Sequence, residues 1–317
     1  MLLPHDWLTD MLRGDGTPTT DRGDASGTGY WSPFMGTYRP DLVELAFGRG
    51  LALPRVAEPA EVVGETSGGA ALAAGTGDNM AAALGLGLGP GDAVVSIGTS
   101  GTVFAVAENP VADPSGIVAG FADATGRYLP LVCTLNAARV LSATGDLLGV
   151  PLSTVDDLAL SAAPGAGGLT LLPYLDGERT PNLPAARGLL AGLTRANASP
   201  ANLARAAVEG LLCGLADGLD ALRGQGVPVE RILLIGGGAG SAAVRALAPA
   251  LLGAPVAVPR AAEYVALGAA RQAAWALRGG AEPPEWPVRA EPVTAEPTES
   301  VRQAYAEIRA RAAGLLE

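Results

Sequence analysis

The sequence predicts an α/β protein, and three stretches carry that prediction. Val94 to Ala107 holds two β-branched apolar runs around Gly98-Thr99-Ser100-Gly101, the pattern of a hairpin with a tight turn. Leu203, Ala207, Leu211, Leu215, Leu219 and Leu222 recur at three- and four-residue spacing, the period of a helix buried along one face. Arg231-Ile-Leu-Leu-Ile235 is a short buried strand that ends in Gly236-Gly-Gly-Ala-Gly-Ser241 and leads into a helix. The chain has 317 residues, enough for two domains or one large one.

The elements follow in order. Pro4 starts a first helix, in which Trp7, Leu8, Met11 and Leu12 share one face. Asp15-Gly-Thr17 and Asp24-Ala-Ser-Gly-Thr28 read as turns, because neither follows a strand. Residues 40–49 read as a short helix, and 62–74 are ambiguous. Gly75-Thr-Gly-Asp-Asn-Met80 is a glycine-rich turn feeding an alanine-rich helix. After the hairpin, 116–121 and 128–133 are further strands of an antiparallel group. A helix over 136–149 follows, with Val140, Leu141, Leu147 and Leu148 inward. Leu169 to Tyr174 is a buried strand, and Gly177-Glu-Arg-Thr-Pro181 is polar and turn-like. Ser199 or Asn202 opens the long helix, with Cys213 packed as a small hydrophobe. The sequence closes with a helix over 242–252, a strand over 255–259, a helix over 263–278, a proline-rich stretch over 279–298 and a charged helix over 300–316.

Composition excludes several functions. The net charge of −11 argues against a phosphate-backbone footprint, so no nucleic-acid partner is expected. Cys133 and Cys213 are the only cysteines and lie far apart, which fits a reducing cytoplasm. His5 is the only histidine, so histidine-rich metal sites are excluded and no metal ligand is named. No apolar run is long enough to span a bilayer, and no membrane partner is expected.

Three segments are candidates for chemistry. The Gly98–Gly101 turn can bring successive backbone N–H groups close to an anion, with Thr99 and Ser100 adding hydroxyl donors. By itself it is also what an ordinary hairpin turn looks like. Asp78 is either the N-cap of its helix or a carboxylate at the floor of a cleft, placed to take a proton from a hydroxyl. Asn79 beside it can bind a polyol or serve as a turn residue. Strand, glycine loop and helix over 231–252 is the general form of a nucleotide site, and also of tight packing.

The order of these pieces resembles the C-terminal part of the FGGY carbohydrate kinases, and within them the xylulokinase branch. Thr76-Gly-Asp-Asn79 resembles the catalytic-base segment, and Ser96-Ile-Gly-Thr-Ser-Gly-Thr102 a phosphate loop. Leu172 to Pro181, Arg187 to Leu193 and Asn202 to Glu209 resemble a family signature. Leu234-Ile-Gly-Gly-Gly-Ala-Gly-Ser241 resembles the adenosine-binding loop, and Asp21 to Thr28 a first-domain segment.

That resemblance implies a ribonuclease H-like, actin-type ATPase fold. It implies a first-domain remnant over residues 1–90, a nucleotide-binding domain over 91–280, and a linker with a final helix over 281–317. It implies ATP with Mg²⁺, and a sugar substrate such as D-xylulose. Asp78 is then the general base and Asn79 holds the sugar. Gly98, Thr99, Ser100 and Gly101 face the phosphates, and Gly237, Gly238 and Ser241 face the adenosine. Asn136 and Arg139 fall where a helix approaches the nucleotide. The strand and Asp-x-Gly-Thr loop that open family members, which carry phosphate and the Mg²⁺ shell, have no counterpart here. A competing reading is therefore a non-catalytic nucleotide- or partner-binding module. An actin-like or chaperone-like ATPase is a third. The apolar surface left by the absent segment is expected to be covered in a homodimer.

Overall fold

The structure is a computed structural model that describes residues 1–316. Its centre is a seven-stranded mixed sheet. In chain order the strands are β1 (Asp92–Ile97), β2 (Gly101–Ala105), β3 (Ala119–Ala122), β4 (Tyr128–Thr134), β5 (Arg231–Ile235), β6 (Val256–Pro259) and β7 (Ala290–Val293). In space they run β7-β6-β5-β1-β2-β4-β3. The hairpin β1–β2 is antiparallel, with Ser96 opposite Thr102 and Val94 opposite Phe104. β4 pairs antiparallel with β2 and β3, while β5 runs parallel to both β1 and β6. Antiparallel strands β1, β2 and β4, extended at the edge by β3, with β5 and β6 added in parallel beside β1, are the arrangement expected of the ribonuclease H-like, actin-type fold.

Ten helices surround or precede the sheet among the described residues: α1 (Pro4–Arg13), α2 (Arg22–Gly27), α3 (Pro40–Phe47), α4 (Asp78–Leu86), α5 (Ala138–Leu148), α6 (Leu152–Ser161), α7 (Pro200–Gly224), α8 (Ala242–Leu251), α9 (Tyr264–Arg278) and α10 (Glu299–Leu316). The pleat of β1 decides which layer each side chain joins. Ala93, Val95 and Ile97 point into a core built with Leu211, Leu215 and Leu219 of α7 and Val244 of α8. Val94 points the other way, with Phe104 of β2, into a second core under Met80 and Leu84 of α4 and Tyr264 of α9. Both faces of the sheet are therefore covered, as a partly parallel sheet requires.

Helix α7 begins where its sequence says it should. The Ser199 hydroxyl accepts from the N–H of Asn202 at 3.2 Å, and Pro200 takes the first helical position. Cys213 is fully buried on it. Inside the same helix Arg205 and Glu209 form a buried pair at 2.6 Å.

Several expectations need correction. Leu147 is 73% exposed, because it lies in the last turn of α5, which ends one residue later at Leu148, and nothing covers that face. Asp24 to Gly27 lie within the short helix α2 rather than in a turn, capped by the Asp21 carboxylate, which accepts from Gly23 N and Asp24 N. The cap of α4 is Gly77, and Asp78 is its first helical residue. The proline-rich stretch contributes the edge strand β7, antiparallel to β6. The final helix α10 docks on α7: Arg302 pairs with Asp220 at 2.5 Å, Arg309 pairs with Asp217, and Tyr305 is buried beside Tyr174.

The segment before the sheet holds α1 to α3 and three two-stranded ribbons, among them Val62–Glu65 with Ala71–Ala73. It joins the sheet at β3, where Ala25 and Trp31 pack on Ala122 and the Ser26 hydroxyl accepts from Ala122 N at 3.0 Å. Among the described residues no helix is long and apolar enough to cross a membrane.

Candidate active site

Three chain segments converge at one end of the sheet. The first is the start of α4. Asp78 is exposed there, and its Oδ1 accepts from the backbone N–H of Asn79 at 2.7 Å and from Asn79 Nδ2 at 2.9 Å. The rest of α4, from Met80 to Leu86, is buried, so the carboxylate stands on a rigid base.

The second segment is the β1–β2 turn. It is pinned from behind by the start of α5: Ala138 N donates to the Gly98 carbonyl at 2.9 Å, and Ala137 N to the Thr99 carbonyl at 3.3 Å. Thr99 and Ser100 are exposed on it. Gly101 is not; a β-carbon there would come within 2.5 Å of Thr134 Oγ1 and 2.6 Å of a Leu215 methyl group. The core behind the turn by itself demands a glycine there.

The third segment is the loop between β5 and α8. Gly236 has φ +87°, a region that only glycine enters freely. The face of Gly237 is open, with no atom within 4 Å of where a β-carbon would sit, while Gly238 is packed on Ile97. Ser241 caps α8, accepting from Val244 N at 3.1 Å and donating to Asp156 Oδ1 at 2.5 Å.

Between these segments lies a cleft of about 700 Å³ lined by Asp78, Asn79, Gly98, Ser100 and Gly237. A second cavity of about 380 Å³ adjoins it, lined by Gly238, Ser241 and Asp156. Gly237 and Gly240 line both, so one glycine loop forms the wall between them. Five of the expected residues thus meet in the first space, and one of them, Gly237, is joined by Gly238 and Ser241 in the second. Thr99 and Gly101 belong to the turn but line neither. The paired volumes suit an elongated ligand that bends across the loop, with backbone N–H groups and hydroxyls toward Asp78 and small apolar walls at the far end.

Asn136 is not at the cleft. It is buried, donating through Nδ2 to the Gly177 carbonyl at 2.7 Å and to Glu178 Oε2 at 2.9 Å. Arg139 spans between Asp176 at 2.5 Å and the Thr99 carbonyl at 3.4 Å. Arg245, Glu263 and Tyr264, which the sequence does not single out as site residues, also line the cleft. Arg245 follows Ser241 by one helical turn, a spacing that points it back over the glycine loop, where it bonds the Ala239 carbonyl.

A further group of titratable residues packs behind Asp78. A β-carbon on Gly77 would come within 2.8 Å of Asp24 Oδ1, and one on Gly75 would overlap the His5 ring. His5 Nδ1 lies 3.2 Å from Asp6 Oδ1, 3.6 Å from Asp24 Oδ2 and 3.9 Å from Asp21 Oδ2. Burial and the Asp24 charge push the Asp21 carboxyl up to about 6. Burial opposes protonation of His5, but its carboxylate neighbours prevail and raise it.

Comparison with known proteins places the fold. The family model for the C-terminal domain of the FGGY family of carbohydrate kinases matches residues 93–277. The chain belongs to the FGGY family of carbohydrate kinases. It is 46% identical to a xylulose kinase of Streptomyces rubiginosus, over 99% of this chain and 66% of that one. A xylulose kinase of Streptomyces coelicolor is 48% identical over 87% of this chain and 57% of its own length. This FGGY chain therefore spans roughly three fifths to two thirds of those relatives. The crystal structure of a xylulose kinase from Bifidobacterium adolescentis superposes with a TM-score of 0.89 at 46% identity, covering 97% of this chain and 68% of that one. A Plasmodium falciparum glycerol kinase with ADP, at 16% identity and a TM-score of 0.81, shares the fold.

Proposed function

We propose that this FGGY chain serves ATP-dependent phosphorylation of a ketose, D-xylulose to D-xylulose 5-phosphate. The observation that carries the reading is the position of Asp78 and Asn79. They stand at the head of a buried helix and face, across one cleft, the Gly98–Ser100 turn and the open glycine loop. The likeness to xylulose kinases supports the choice of sugar.

The chemistry follows from that placement. A sugar hydroxyl held by Asn79 gives its proton to the Asp78 carboxylate as its oxygen attacks the γ-phosphorus of ATP. The bond from that phosphorus to the β–γ bridging oxygen breaks, leaving ADP and the sugar phosphate. Transfers of this kind depend on positioning and on stabilising charge at the phosphoryl oxygens. Backbone N–H groups of the Gly98–Ser100 turn, with the Thr99 and Ser100 hydroxyls, would supply donors for the phosphates. Gly237 and Gly238, beside Ser241, would take the adenosine. Among residues lining the cleft the carboxylates are Asp78 and Glu263, which fits a Mg²⁺ ion held chiefly by phosphate oxygens and water. When bound, Mg²⁺ would neutralise phosphate charge. The domain division in this reading is 1–90, 91–280 and 281–317. The exposed apolar face of α1, with Trp7, Leu8 and Met11, is where a second copy would pack in a homodimer.

The test is ATP turnover on D-xylulose, D-ribulose, L-ribulose and glycerol, with Asp78→Ala as control. Turnover with D-xylulose that the variant loses supports the reading. Binding of ATP without turnover of any sugar assigns a nucleotide-binding module instead.

A further inference from the structure

The group behind Asp78 has the geometry of a cation site. His5, Asp21 and Asp24 each offer one ligand atom, and the three atoms lie within 4.8 Å of one another. They come from two elements: His5 from α1, and Asp21 and Asp24 from the cap and first turn of α2. Together with the Gly75–Gly77 backbone above them, they join the segment before the sheet to the start of α4.

Internal hydrogen bonds account for only part of the cluster: His5 Nδ1 bonds Asp6 Oδ1 at 3.2 Å, but one oxygen of Asp21 is left over. Asp21 is 4% exposed, and its two oxygens have different fates. Oδ1 caps α2, accepting from Gly23 N at 2.7 Å and Asp24 N at 3.1 Å. Oδ2 is buried with no hydrogen-bond partner and faces the His5 ring. A buried carboxylate oxygen without a donor carries its full desolvation cost. Charge points the same way. Asp6, Asp21 and Asp24 bring three carboxylates to one imidazole, so even a protonated His5 leaves the group with excess negative charge.

We infer that His5, Asp21 and Asp24 form a divalent-cation site, with Asp6 beside it, that ties α1 to α2 under the Gly75–Gly77 segment leading into Asp78. One imidazole nitrogen and two carboxylates, completed by water, is a donor set suited to Zn²⁺. Bonds of about 2.0–2.1 Å in a tetrahedral site put ligand atoms ~3.4 Å apart. The separations of 3.6 and 3.9 Å from His5 Nδ1 need contraction of a few tenths of an ångström, and the three ligand atoms all lie within 4.8 Å of one another, so the carboxylates would close further on the ion. Imidazole ligation disfavours Mg²⁺, which prefers oxygen donors in an octahedral shell. The site is separate from the nucleotide cleft, and the inference does not depend on the kinase reading.

Calorimetric titration of the full, chelator-stripped chain with ZnCl₂ tests it. One tight equivalent is expected, with MgCl₂ far weaker. Asp21→Asn keeps an Oδ1 to cap α2 but removes the charged ligand, so it is expected to fold and to bind Zn²⁺ at least about tenfold more weakly. Asp24→Asn and His5→Ala are expected to do the same, and Cys133→Ala to bind as the parent does. Zn²⁺ is also expected to raise the midpoint of thermal unfolding of the parent and not of Asp21→Asn. Absence of a tight equivalent overturns the inference. So does binding that survives both Asp21→Asn and His5→Ala, or that disappears in Cys133→Ala.

Discussion

Gly268 lies against the carbonyl group of Ala81 with no room between them for a β-carbon. The contact is reciprocal: a β-carbon on Gly85 would strike the Tyr264 carbonyl and come within 2.8 Å of Gly268 N. Helices α4 and α9 thus cross backbone to backbone, and α4 is the helix that presents Asp78. Gly268→Ala is expected to push α4 outward at a cost of ~1–3 kcal/mol in stability. Because small misplacements of a catalytic group can cost about 10²-fold, turnover is expected to fall more than stability alone accounts for. Urea unfolding and steady-state turnover on the same variant read the two effects. A variant of unchanged activity would mean that α4 is positioned from elsewhere.

Asp78→Asn is expected to lower turnover by roughly 10²–10⁴-fold, the usual contribution of a general base. Its exposed position and the retained acceptor for Asn79 N predict an unchanged melting temperature. ATP affinity, read by calorimetry, should stay within about twofold of the parent, since the substitution leaves both glycine segments intact.

Glu178 holds a turn that the cleft leans on. Its buried carboxylate accepts from Leu135 N at 2.6 Å, Arg179 N at 2.7 Å and Asn136 Nδ2 at 2.9 Å. Those bonds anchor the chain just before α5, whose first amides hold the Gly98 turn. Glu178→Ala leaves the part-buried Leu135 N and Arg179 N without their acceptor, while Asn136 Nδ2 keeps the Gly177 carbonyl, and a loss of about 1–3 kcal/mol is expected in chemical denaturation. An exposed carboxylate such as Glu108 should tolerate the same change.

The two thiols should differ. Burial pushes Cys213 up to about 12, so its thiolate is costly in the folded chain. The folded value lies above the unfolded one. Its stabilising effect is therefore complete below about pH 9 and is lost as pH rises from there toward 12. Cys213→Ala is expected to flatten the fall of stability with pH across that window. At pH 7, iodoacetamide should modify the half-buried Cys133 first and reach Cys213 only on unfolding.

The strands were legible in the sequence where apolar runs end abruptly. Strand β5 falls on Arg231–Ile235 as expected, because Glu230 and Gly236 bound a continuous apolar run. The long helix α7 was equally legible, since its leucines keep one face over its whole length. Helix α2 was not, because Asp24, Ala25, Ser26 and Gly27 give no period and its cap is the distant-looking Asp21. At the site, Asp78, Asn79, Gly98, Ser100 and Gly237 were found from local pattern and family order and do share a cleft. The steric demand for glycine at 101 comes from Thr134 and Leu215, which are remote in sequence and leave no local pattern. Asn136 was placed near the nucleotide, yet its partners at Gly177 and Glu178 turn it inward. Polar contacts of that range leave no periodic trace, which is also why the meeting of His5 with Asp21 and Asp24 could not be read from spacing.

The edge strand β7 sets Pro292 opposite Ala257 of β6. A proline has no N–H to offer, so the outermost rung of the sheet is one donor short. The open parallel edge that β6 would otherwise present is both covered and blunted. The proline-rich tail thereby acts as a stop against strand-to-strand recruitment, and its removal would convert a self-limited sheet into one that other chains could lengthen.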